Sequence, residues 1–167
     1  MERKTIYPKY PVIGVDCGGQ PNAPRQGMVA VATRWSRRNK ENRWISLLNS
    51  SEINKHEGKR NWQEKVYASI VFKVIDEVLE ANYSIHIDED YQNTSQQKKI
   101  LRYLHYLIGL SHAGDPTKEN PEIKFQIKER SKYVQEAHKK HGLVSEGKMK
   151  IDDKSGIDYL MRLLENQ

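Results

Sequence analysis

The stretch Tyr10-Pro11-Val12-Ile13-Gly14-Val15, running into Asp16-Cys17-Gly18-Gly19, decides how this chain is read. A short, β-branched apolar run that stops at a carboxylate and two glycines predicts a buried strand ending in a turn. Beyond it, residues 20–26 hold two prolines and suit a loop. Residues 28–35 (Met-Val-Ala-Val-Ala-Thr-Arg-Trp) predict a second strand. The basic, polar residues 37–42 then predict a turn into a third strand over 43–48, so the first three strands form an antiparallel meander.

A polar connection over residues 49–60 leads to a helix from Trp62, with Val66, Ile70, Val74 and Val78 at helical spacing. Asn61 with Glu64 three residues on has the capping-box arrangement. Ser84-Ile85-His86-Ile87-Asp88 alternates as a fourth strand. A second helix from about Ser95 carries Ile100, Leu104 and Leu107 on one face, and residues 122–128 alternate as a fifth strand. Ser131 begins a third helix that ends before His141-Gly142, and an amphipathic helix closes the chain over residues 155–165. The element order β-β-β-α-β-α-β-α predicts an α/β fold, a mixed five-stranded sheet with helices on both faces, in a single domain over residues 1–167.

Composition narrows the function. Lone Cys17 excludes an intrachain disulfide framework and a thiolate zinc cluster. The start, Met-Glu-Arg-Lys, leads into no apolar leader segment and no run reaches the length of a membrane span, which implies a soluble, cytoplasmic protein without a membrane partner. Twenty-eight Lys+Arg against 22 Asp+Glu give a net charge of +6, which suits a polyanionic partner as well as mere solubility.

The positions of the acids carry more. Asp16 ends the first strand, Asp88 ends the fourth, which lies beside it, and Glu64 sits one turn into the covering helix. Carboxylates converging in this way can hold Mg²⁺ or Mn²⁺, hard ions that favour oxygen ligands. Two such ions ~4 Å apart can activate water and stabilise the leaving oxygen of a phosphodiester. Each residue also has a plainer reading. Asp16 suits a turn start, Glu64 a helix cap, and Asp88-Glu89-Asp90 a solvated loop. His86 shares a strand face with Asp88, and His138 and His141 can share a helix face, suiting phosphate contact or plain exposure.

In order and spacing, Val12-Ile13-Gly14-Val15-Asp16, the helix Asn61-Trp62-Gln63-Glu64-Lys65-Val66 and Ile85-His86-Ile87-Asp88 resemble the ribonuclease H superfamily. A narrower similarity, carried also by Ile127-Lys128 and Ser131, is to the bacterial YkuK-like family of ribonuclease-H-related proteins. The resemblance implies a metal-dependent nuclease in which Asp16, Glu64 and Asp88 ligate the metal. Where the family generally carries a fourth acid, on the helix after the fifth strand, this chain offers Glu136 and His138 but no aspartate, and Asp158 is the substitute if the last helix crosses the same edge. Val15-Asp16-Cys17-Gly18-Gly19 also resembles the phosphate loop of actin-like ATPases, which need two domains where this length holds one.

Arg25, Arg37 and Arg38 beside the strand turns, with Lys128 and Lys132 further on, are candidate nucleic-acid contacts, and equally a solvated surface. A non-catalytic nucleic-acid-binding module and an assembly scaffold on a degenerate fold remain the alternatives.

Overall fold

β1 (Val12–Gly18), β2 (Met28–Trp35) and β3 (Lys40–Leu48) pair antiparallel in sequence order. The computed structural model describes residues 11–23, 27–36, 40–76, 79, 83–89, 93–112, 121–149 and 156–167, with backbone alone for 40–47. After the meander come α1 (Ser50–Asn54), α2 (Trp62–Asp76), β4 (Ser84–Asp88), α3 (Thr94–Ser111), β5 (Glu122–Gln126), α4 (Lys132–Ser145) and α5 (Asp158–Leu164). β4 runs parallel to β1 and β5 parallel to β4, giving one mixed sheet in the order β3-β2-β1-β4-β5. The fold is α/β. No helix among the described residues is long and apolar enough to cross a membrane.

Strand alternation divides the interior in two. Ile13 and Val15 of β1 join Val66, Ile70, Ile100 and Leu104 in the main core beneath α2 and α3. α2 is buried almost all round, from Lys65 to Ile75 with Lys73 the exception, because sheet, α3 and α5 each cover part of it. On the opposite face Gly14, Asp16 and Gly18 look toward α4, which packs on β1 and β2 through Val134 and Ala137. That approach needs glycine. A Cβ on Gly14 would fall inside contact distance of the Tyr133 carbonyl, and one on Gly18 would collide with the His141 ring.

Several local expectations are corrected. Asp16 lies within β1 rather than at a turn, since the ladder to β2 continues through Asp16↔Val31 to Gly18↔Val29. Gly18, which reads as part of that turn, makes room for α4, while Gly19 takes a left-handed φ of 90° against Gly27 and Met28. Asn61 stands at the N-cap position of α2, its carbonyl accepting from the Lys65 N–H at 3.0 Å, but its side chain does not cap the helix and its φ of 52° is left-handed, whereas an ordinary cap is extended. Its amide instead donates to the Tyr103 hydroxyl at 2.8 Å and accepts from Lys99 at 3.3 Å. A capping box forms at α3, between Asn93 and Gln96. Part of the polar connection is helical (α1, capped by Asn49), β5 stops at Gln126, and α4 continues past His141-Gly142 to Ser145.

Candidate metal centre

Asp16 and Asp88 meet because their strands are adjacent, parallel and in register, Gly14 opposite His86 and Val15 opposite Ile87. One further step along each strand brings the two carboxylates side by side on the α4 face, 2 % and 3 % exposed. α4 supplies the third group. Asp16, Asp88 and His138 each offer a ligand atom within 4.8 Å of the others. His138 Nδ1 stands 3.4 Å from Asp16 Oδ2, and His141 Nδ1 stands 2.7 Å from the same oxygen. Being three apart on a helix, the two imidazoles project from one face onto one carboxylate.

Burial alone would raise the Asp16 pKa, because a charged carboxylate loses its hydration. The hydrogen bond and charge of His141, a hydrogen bond with Asp88 and the charge of His138 outweigh it, so the net shift is downward. The same buried negative charge bears on Cys17, whose thiol is pushed far up by burial first and by Asp16 next. Two buried carboxylates with converging imidazoles suit a divalent cation, which supplies the positive charge that the pair lacks. The donors are two oxygens and one or two nitrogens. Such a set fits manganese, iron or zinc better than magnesium, which favours oxygen and water.

The other expected residues fall elsewhere. Glu64 is half-buried in the first turn of α2 and makes no hydrogen bond or ion pair with a described residue. It is not part of the Asp16–Asp88–His138 group. Its helix leads into β4, so this turn lies toward the carboxyl ends of the parallel strands, but on the main-core side of the sheet. Asp158 does not act as a fourth acid here. α5 packs on α2 and α3, and Asp158 binds Lys55 at 2.7 Å and faces His56 at 3.4 Å. His86 stays out of the ligand group as well. Its Nδ1 meets the Ser131 hydroxyl at 2.9 Å and its ring stands edge-on to Tyr133, which anchors the start of α4 to β4. Burial lowers the His86 pKa, so this anchor is a neutral ring.

His138 and His141 are the residues whose part the sequence reading missed. Their spacing on the helix after β5 was the available signal, but which face of that helix meets the sheet is set by Gly14 and Gly18. Of the candidate nucleic-acid contacts, Arg25, Arg37 and Arg38 lie outside the described residues. Lys128 is half-buried after β5, and Lys132 is exposed in the first turn of α4 with its ammonium 5.3 Å from the Tyr133 ring centre. No protein-family model matches the chain, and no curated protein matches it.

Proposed function

We propose that this protein is a metal-dependent nuclease on a ribonuclease-H-like fold, hydrolysing phosphodiesters at the Asp16–Asp88–His138 centre. One observation carries the reading: three ligand atoms within 4.8 Å of one another, on two adjacent strands and the helix after the last strand. The strand order, antiparallel over β3-β2-β1 and parallel over β1-β4-β5, is compatible with that fold. Fold alone would carry no activity.

In this mechanism Asp16, Asp88 and His138 hold the cation. A divalent ion held there would supply Lewis acidity for the phosphoryl oxygen and would lower the pKa of a nearby water. His141 donates Nδ1–H to Asp16 and fixes the carboxylate's orientation, as outer partners of metal ligands do. His138 is 44 % exposed, so the centre is open to solvent, and to substrate, at this residue beside α4. Of the candidate nucleic-acid contacts, Lys128 just before that helix and Lys132 at its start are described, and they are the ones we assign to a phosphate backbone. Mn²⁺ is the preferred cofactor and Mg²⁺ the second choice, from the imidazole in the donor set.

The test is cleavage of labelled RNA, DNA and hybrid duplexes with Mn²⁺ or Mg²⁺, repeated with Asp16→Asn and Asp88→Asn. Cleavage that needs metal and falls at least a hundredfold in both variants supports the proposal. Cleavage that persists in both removes the site assignment. The absence of Glu64 from the ligand group favours a second reading, a binding module without catalysis. Salt-sensitive nucleic-acid binding with no cleavage identifies it.

A further inference from the structure

On the other side of the sheet, the α1–α2 connection and α5 frame a half-open cavity of about 550 Å³. Five cationic side chains line it: Lys55, Lys59, Arg60, Lys65 and Arg162. Two carboxylates, Asp158 and Glu165, face them, and Asp158 is already engaged by Lys55 at 2.7 Å. The charged ends of Lys59, Arg60, Lys65 and Arg162 make no ion pair among the described residues.

Two of the lining groups are deeply buried. Lys65 is 4 % exposed, and its ammonium stands 5.5 Å from the centre of the Tyr103 ring rather than against a carboxylate. His56 is 5 % exposed and neither of its ring nitrogens has a hydrogen bond among the described residues, Nε2 lying 3.4 Å from Asp158. Two buried imidazole nitrogens without a hydrogen-bond partner are costly, and so is the convergence of several like charges on one space. Both costs fall when an anion enters.

We infer that this cavity is a binding site for a phosphomonoester, the phosphate group of a nucleotide or the 5′-phosphate end of a nucleic-acid strand. Two guanidiniums and two unpaired ammoniums match a compact dianion with three oxygens better than a single carboxylate. The volume exceeds that of bare phosphate and falls in the range of small-molecule sites, and Met161 adds apolar wall for an attached group. The inference does not depend on the metal centre, which lies across the sheet under α4.

The experiment is calorimetric titration of the full chain in EDTA, so that no metal contributes. The probes are inorganic phosphate, a nucleoside 5′-monophosphate, the same nucleoside without phosphate, and a short single strand with a 5′-phosphate or a 5′-hydroxyl. The monophosphate binds at least tenfold more tightly than the nucleoside, and added salt weakens it. Arg60→Ala with Arg162→Ala, both exposed positions, lowers its affinity about tenfold or more, the effect of losing charge-assisted hydrogen bonds. Lys139→Ala with Lys148→Ala removes the same charge elsewhere and leaves the affinity within about twofold. Circular dichroism and the melting temperature check that each variant is folded. A preference for the phosphorylated strand over the mononucleotide assigns the strand end as the source; equal affinities assign the free nucleotide. Unchanged affinity in the Arg60/Arg162 variant, equal binding of the nucleoside, or no binding of any phosphate probe up to about 10 mM overturns the inference.

Discussion

Gly14→Ala separates the packing of α4 from everything else the metal centre needs. The new Cβ would fall closer than 3.0 Å to the carbonyl oxygen of Tyr133, and real Cβ atoms do not approach so near. Because the obstacle is backbone, no rotamer relieves it, and α4 must move off the sheet by about 1 Å. His141 Nδ1 lies 2.7 Å from Asp16 Oδ2, so a shift of that size takes it out of hydrogen-bond range. Overpacking costs about 1–3 kcal/mol and the weakened charge-assisted bond adds to it, so a loss of about 3 kcal/mol is expected. For a chain of this length that lowers the melting temperature by about 6–12 °C. Mn²⁺ affinity, read by calorimetry, should fall with it, since His138 moves with the helix. Gly142→Ala is the control on the same helix. Gly142 is exposed and a Cβ there would meet nothing within 4 Å, so alanine should raise stability by about 0.5–1 kcal/mol. A Gly14→Ala protein with unchanged melting temperature and Mn²⁺ affinity would refute the account of how α4 is seated.

Three further outcomes are expected. His138→Ala should weaken Mn²⁺ and Zn²⁺ binding at least tenfold while changing Mg²⁺ binding less, measured by competition titration, because it removes the nitrogen donor. Asp158→Asn should leave Mn²⁺ affinity within about twofold of wild type, since its carboxylate binds Lys55 beneath α5. Cys17 should react slowly with a thiol reagent even at pH 9, where an ordinary thiol with a pKa of 9.0 is half ionised. Its folded pKa is raised, so the stability it contributes is complete below that ordinary value and is lost as pH rises above it; fast labelling of the native protein at pH 9 would contradict this.

The fold was legible where periodicity was strong. The alternation in Ser84–Asp88 and the helical spacing from Trp62 state their structure locally: the strand forms as read, and the helix begins at Trp62 as read but is described only to Asp76, with Val78 outside the described residues and Leu79 beyond the helix. The pairing of Asp16 with Asp88 followed, because adjacency of the first and fourth strands follows from the element order. What failed depended on contacts between distant segments. Asp16-Cys17-Gly18-Gly19 has the composition of a turn, yet Gly18 is required by the His141 ring more than a hundred residues later. His141-Gly142 reads as a helix end, but α4 is held on past it by the bond to Asp16. Asn61 and Glu64 have the spacing of a capping box, whereas Asn61 is drawn instead to Tyr103 and Lys99. Asp158 could not be placed because nothing local decides which face of the sheet a C-terminal helix covers.

The net charge of +6 hides a separation across the sheet. Asp16 and Asp88 are buried under α4, while Lys65 and its neighbours surround a cavity on the α2 side. Layers packed on opposite faces of a sheet stand about 10 Å or more from each other's charges. At an effective dielectric near 20, a unit charge at that distance interacts by roughly 1.7 kcal/mol, against about 4 kcal/mol for a cation in contact at about 4 Å. The surplus lysines and arginines therefore do little to offset the carboxylate pair. That task falls to the imidazoles of α4 and to a bound cation. Nor does the pair neutralise the cavity, which keeps its own demand for an anion. Asp16→Asn and Arg162→Ala should consequently act independently: the first weakens metal binding at least tenfold and leaves phosphate affinity within about twofold, the second weakens phosphate binding about threefold or more and leaves metal affinity within about twofold, and the double variant shows the sum of the two. A coupling beyond about 0.5 kcal/mol in that cycle would mean the two charged sites communicate through the sheet, contrary to this arrangement.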